Sequence, residues 1–187
     1  MIPSNRLAAA AIALVASAAA AHPQGFHKKL TFTLTRTGLT GLVVMDVDSG
    51  PRCAVLRQAV DADGDGLVKG EEVTALKERL VSMALKTLKL SFSGAAIAVA
   101  PKETKLSLRE DPRVGEAGLS VAVLLELTQP HEVHEGLTFE VTDASPDLST
   151  VVVQVFQAAA EGAPGEAPFQ VELESGKTAK VRVGRLP

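Results

Sequence analysis

Twelve consecutive residues concentrate the side chains best suited to chemistry: Asp61-Ala62-Asp63-Gly64-Asp65-Gly66-Leu67-Val68-Lys69-Gly70-Glu71-Glu72. Asp61, Asp63 and Asp65 stand at alternate positions, so a tightly turned loop aims their oxygens at one point. Gly66 follows, where the turn is sharpest and an L side chain resists the required backbone angles. Leu67 offers a backbone carbonyl, and Glu72 closes the stretch with two further oxygens. A hard cation such as Ca²⁺ takes about 6–8 oxygen ligands, which this spacing supplies from Asp61, Asp63, Asp65, Leu67 and Glu72. Lys69 cannot be a ligand, so a water fills the vertex it would have held.

The flanks must position that loop. Leu56, Ala59 and Val60 are spaced for the buried face of an entering helix, and Val73, Leu76, Leu80 and Met83 recur at helical spacing on the exit side. The whole unit, residues 52–86, resembles the EF-hand family over all twelve loop positions and both helices. That resemblance implies Ca²⁺ as the bound ion. EF-hands ordinarily come in pairs joined through the apolar eighth loop position, here Val68. Asp46-Val47-Asp48-Ser49-Gly50-Pro51 starts like a second loop, but its spacing fails and no closing Glu follows. Val68 must therefore pack on the rest of the chain or on a second copy.

Other features bound the function. Residues 1–21 carry Arg6, then an uncharged Ala/Ile/Leu/Val/Ser run ending Ala19-Ala20-Ala21, which reads as a secretory signal peptide cleaved before His22. It is too short and too alanine-rich for a membrane span, and no other apolar run is long enough for one. The expected product is exported, periplasmic or secreted, with no membrane insertion after cleavage. The 187-residue chain has 19 Lys+Arg against 22 Asp+Glu, and loss of Arg6 makes it more acidic still. That balance excludes nucleic acid and anionic membranes as partners. One cysteine, Cys53, excludes an internal disulfide framework and reads as a small apolar residue on the entering helix. The absence of Trp and Tyr removes the aromatic platforms on which sugar-binding modules rely.

Outside the helical unit the pattern has period 2. Leu30–Arg36 and Leu42–Val47 predict a hairpin. Leu88–Phe92, Ala95–Ala100, Thr104–Arg109, Leu119–Leu127, Leu137–Val141 and Val151–Phe156 predict further strands. Phe169–Leu173 and Ala179–Val183 predict a last hairpin across Ser175-Gly176. The expected fold class is α+β, mainly β: an antiparallel sandwich or barrel with the helix–loop–helix inserted after its second strand. The expected division is a β-domain over 22–157 and a linker with a C-terminal hairpin over 158–187.

His22, Pro23, Phe26, Leu39-Thr40-Gly41-Leu42, the loop Asp61–Glu72 and Phe139-Glu140-Val141-Thr142-Asp143 together resemble a family of bacterial exported domains. Their mature chains begin near a His-Pro-His-x-Phe motif and carry one EF-hand-like loop after the first strand pair. The likeness covers about residues 22–157 and departs from the family at Gln24, where a second His is common. It implies association with nickel/cobalt-type membrane transporters or another exported protein. The chain has four histidines, His22, His27, His131 and His134. A freed His22 can chelate Cu²⁺ or Ni²⁺ through its α-amine and imidazole, while Pro23 stops the chelate from extending along the backbone.

Three readings follow. The leading one is a non-enzymatic, exported Ca²⁺-binding protein whose ion is structural. The alternative is a periplasmic handling protein for Ni, Co, Cu or Zn, accessory to a metal transporter and using His22. A copper oxidase with an N-terminal histidine brace is the third. It needs a second fixed histidine and an aromatic substrate face, and the chain has no Trp or Tyr. No nucleophile elbow, H-E-x-x-H or phosphate-binding glycine loop is present, and His131-Glu132-Val133-His134 is one residue too short for a shared helix face.

Overall fold

Strict alternation of apolar and polar residues makes most of this chain into strands with one buried face. The computed structural model describes residues 25–108, 112–128, 132–145, 148–158, 167–184 and 186. Strand β1 (Phe26–Thr35) buries Leu30, Phe32 and Leu34 completely, every second residue. It forms an antiparallel hairpin with β2 (Gly38–Val47). Two helices follow, α1 (Pro51–Gln58) and α2 (Glu71–Leu85). Among the described residues seven strands complete the order: β3 (Leu88–Phe92), β4 (Ala95–Ser107), β5 (Leu119–Thr128), β6 (Thr138–Asp143), β7 (Leu148–Gln157), β8 (Phe169–Leu173) and β9 (Thr178–Arg182).

The nine strands form one sheet in the order β8-β7-β1-β2-β5-β4-β3-β6-β9. Its two ends lie beside each other, so the sheet is nearly closed and barrel-like. The mainly β class expected from the sequence is the class observed. Phe32 of β1 meets Phe139 of β6 edge to face at 5.2 Å, and Phe92 of β3 lies 5.2 Å from the same ring. Phe92 and Phe139 face each other on neighbouring strands, whereas the Phe32–Phe139 contact joins strands far apart in the sheet, so the core sits inside the curve. At the seam the Gln157 amide stands in for a backbone pair: its Nε2 donates to the Arg182 carbonyl (3.2 Å) and its Oε1 accepts from the Gly184 N–H (2.7 Å).

Several details differ from the sequence expectation. The sheet is mixed, because β1 pairs with β7 in parallel along its length. β8 pairs with β7 and β9 with β6, so the last two strands do not pair as a hairpin with each other. β4 is a single strand where two were expected. Its register with β5 shifts between Pro101 and Glu103, a bulge that absorbs the proline without ending the strand. Helix α1 stops at Gln58, and Ala59 lies exposed, while Arg57 takes the buried place beside Leu56 and Cys53.

Helix α2 packs against β2, β4 and β5. Leu76, Leu80 and Ala84, four residues apart, are fully buried, with Val73 and Met83 packed at the margin. Cys53 is buried as a small apolar residue, its Sγ 3.2 Å from the Asp48 carbonyl. Among the described residues no helix is long and apolar enough to cross a membrane.

Candidate metal centre

The loop between α1 and α2 holds an acidic cluster built by its own backbone. Gly64 and Gly66 take positive φ, 70° and 77°, which lets the chain turn tightly around the cluster. Asp61 Oδ2 then accepts the Gly66 N–H (3.2 Å) across the turn. Asp63 Oδ1 accepts the Asp65 N–H (3.1 Å), and Asp65 Oδ1 accepts the Leu67 N–H (2.9 Å). Each of these bonds fixes one oxygen of its aspartate, and the second oxygen of Asp65 is taken by Lys69 Nζ. Oxygen atoms of Asp61, Asp63 and Asp65 lie within 4.8 Å of one another.

The far side of the loop is organised by Glu72. Its Oε1 accepts the Ala62 N–H (2.7 Å) and its Oε2 the Lys69 N–H (3.2 Å), tying the start of the loop to the start of α2. Glu72 and Glu71 also supply acid in the first turn of α2, where the helix dipole favours it. The structure therefore brings Asp61, Asp63 and Asp65 together, with Glu72 bonded across the loop rather than grouped with them. Leu67 sits in an isolated antiparallel bridge with Arg113.

Lys69 is the cationic neighbour of the cluster. Its Nζ pairs with Asp65 and stands 3.7 Å from Asp63. The hydrogen bond from Lys69 holds the Asp65 carboxyl below its ordinary range, and the same bond raises the Lys69 ammonium above its own. Both side chains are exposed, so solvent screens this pair.

The donor set fits a hard cation. Three clustered carboxylates with a fourth alongside repel one another, and the nearby Lys69 offsets that charge only in part. Asp61 Oδ1 is buried and has no hydrogen-bond partner among the described residues. A buried carboxylate oxygen left so is costly, and an oxygen-seeking ion would satisfy it.

Among the described residues, His27 and His134 are not part of such a cluster. His22 and His131 lie outside the described residues. His27 Nε2 pairs with Asp48 Oδ2 at 2.8 Å, and His134 Nδ1 contacts the Glu135 carbonyl. Among the described residues the three aspartates are the one group of His, Cys, Asp or Glu positioned to hold a metal.

Sequence reasoning missed the surroundings of the loop. Val68, the eighth loop residue, is buried and donates its N–H to the Pro112 carbonyl (2.7 Å). Val114 N–H donates back to the Gly66 carbonyl (2.8 Å). The chain's own residues 112–114 thus lie along the loop, and the choice left open for Val68 falls to the rest of the chain. The Arg57 guanidinium is buried against the same segment. An arginine at a helix position flanked by buried Cys53 and Leu56 was the available signal.

Compared with protein-family models and with curated proteins, the chain matches none.

Proposed function

We propose that the chain is an exported Ca²⁺-binding protein carrying a single EF-hand whose ion serves the stability of the fold. The observation that carries this reading is the Asp61, Asp63 and Asp65 cluster, its oxygens within 4.8 Å, with Asp61 Oδ1 buried and unpartnered beside it. In the loaded site Asp61, Asp63 and Asp65 hold the ion through side chains, Leu67 through its carbonyl and Glu72 through both oxygens. Glu72 gives up its bonds to Ala62 and Lys69 to do so. The role is binding rather than catalysis. The ion neutralises crowded carboxylates and fixes the two helices on the sheet.

An extracytoplasmic protein needs only weak affinity for this, about 10⁻⁴–10⁻³ M. Binding to the folded state alone stabilises by mass action, about 2.7 kcal/mol at a calcium concentration about 100-fold above Kd. Calorimetric titration of residues 22–187 with Ca²⁺ tests the reading, together with thermal melts at zero and millimolar calcium. One ion per chain and a raised Tm, both lost in Asp61→Ala, are expected. A flat titration and an unmoved Tm would overturn it. Heat from Cu²⁺, Ni²⁺ or Zn²⁺ that His22→Ala abolishes would instead favour metal handling beside a transporter.

A further inference from the structure

The ion loop is held at both ends by one segment of the sheet connection. At its start, the fully buried Arg57 spreads its guanidinium over backbone carbonyls: Nη1 donates to Arg113 (2.8 Å), and Nη2 to Leu108 (3.2 Å), Ala117 (3.1 Å) and Gly118 (3.4 Å). The carbonyl of Arg57 in turn accepts the N–H of Asp61, the first loop residue, at 3.1 Å. On the far side, Gly66 and Val68 exchange backbone hydrogen bonds with Val114 and Pro112. The start of α1 is tied to the same segment. Gly50 N–H donates to the Glu116 carbonyl (2.7 Å), and Gly118 N–H donates to Ser49 Oγ (3.1 Å).

We infer that residues 112–118 do for this loop what a second hand does in a pair, and that Arg57 is the positioning residue that locks them to it. The inference rests on the calcium reading above. A paired hand borrows rigidity from its partner's loop through a short backbone bridge. Here Leu67–Val68 makes that bridge to Arg113 within the chain, so the site is complete in one copy. Arginine suits the other end because its planar fork presents several donors at once, and a lysine offers a single point. Through the Arg57 carbonyl the clamp sets where the Asp61 backbone stands, and so where its carboxylate points. Ion and clamp then stabilise each other, because coupling between two sites is reciprocal.

Three measurements on the full mature chain test this. Calcium should slow hydrogen exchange at the Val68 and Val114 amides in the wild type. Arg57→Met should weaken calcium binding by about 10–100-fold, the usual range for groups that orient metal ligands. Arg57→Lys should recover part of the loss. The calcium-loaded protein should remain a monomer.

Wild-type calcium affinity in Arg57→Met, or unchanged exchange at both amides, overturns the clamp while leaving the calcium reading intact. Calcium-driven dimerisation overturns it equally. A flat wild-type titration overturns the calcium reading itself, and this linkage with it. If Arg57→Met does not fold, the wild-type exchange measurement decides.

Discussion

Inside the barrel, Lys28 of β1 and Asp143 of β6 form an ion pair whose side chains are both fully buried. Lys28 Nζ donates to Asp143 Oδ2 at 2.7 Å and to Ser145 Oγ at 3.2 Å. Asp143 Oδ1 accepts from Thr87 Oγ1 (2.9 Å) and from the Ser145 N–H (3.0 Å). Burial pushes the Lys28 ammonium below its ordinary pKa. Burial also works to raise the Asp143 carboxyl, but hydrogen bonding and attraction from Lys28 overcome it and hold the group below its usual range.

Removing one partner leaves the other charge buried, at a cost of roughly 3–5 kcal/mol. Lys28→Met belongs at the low end, because Thr87 and Ser145 still donate to Asp143. Asp143→Leu belongs at the high end, because it strands an ammonium. At about 2–4 °C per kcal/mol for a chain of this size, Tm should fall by roughly 6–20 °C. The double variant Lys28→Met with Asp143→Leu should lose far less than the sum, because no buried charge remains. Urea unfolding of the two singles and the double at neutral pH measures the coupling. Singles that each cost under about 1 kcal/mol, the value of a surface pair, would refute the reasoning.

Two further predictions follow from the charged groups. Asp143 has its folded pKa below its unfolded one, so its contribution is present above the unfolded value, about pH 4, and is lost as pH falls through the folded value. Melts from neutral to acid pH should show a steeper acid limb in the wild type than in the double variant. About 1 M salt screens the exposed Asp65 and the half-buried Glu140, which are also held low, by Lys69 and Lys180. Equal limbs would remove Asp143 as the cause. At the loop, Lys69→Gln should raise calcium affinity a few-fold, because the ammonium must leave Asp65 and Asp63 before the ion binds. The gain should shrink as salt rises, and calorimetry at two ionic strengths would expose its absence.

The acidic loop was legible because its oxygens lie close in sequence and follow a fixed spacing. The strands were legible from alternation, and their number and places largely hold. What escaped depends on partners distant along the chain. Period 2 alone does not tell a parallel neighbour from an antiparallel one, so β7 beside β1 was hidden, as was the parting of β8 from β9. Pro101 reads as a break, and only a bulge opposite β5 makes it tolerable. Lys28 was readable in principle, since it shares its phase in β1 with Phe26 and Leu30. A charge there looks like an error of register until Asp143 arrives from the other side. Arg57 escaped for the same reason: its carbonyl partners, from Leu108 to Gly118, come from another part of the chain.

Strand β1 lies between β2, its immediate successor, and β7, made near the other end of the chain. Synthesis runs in one direction, so β1 and β2 emerge long before β7 exists. Until then β1 presents an unpaired edge and a face of Leu30, Phe32 and Leu34. Such an edge is a template for any other extended chain nearby. Pairings this distant along the chain also close slowly. The interval between the first hairpin and the seventh strand is therefore when this protein is most exposed to aggregation, and when a holding chaperone would do the most for its yield.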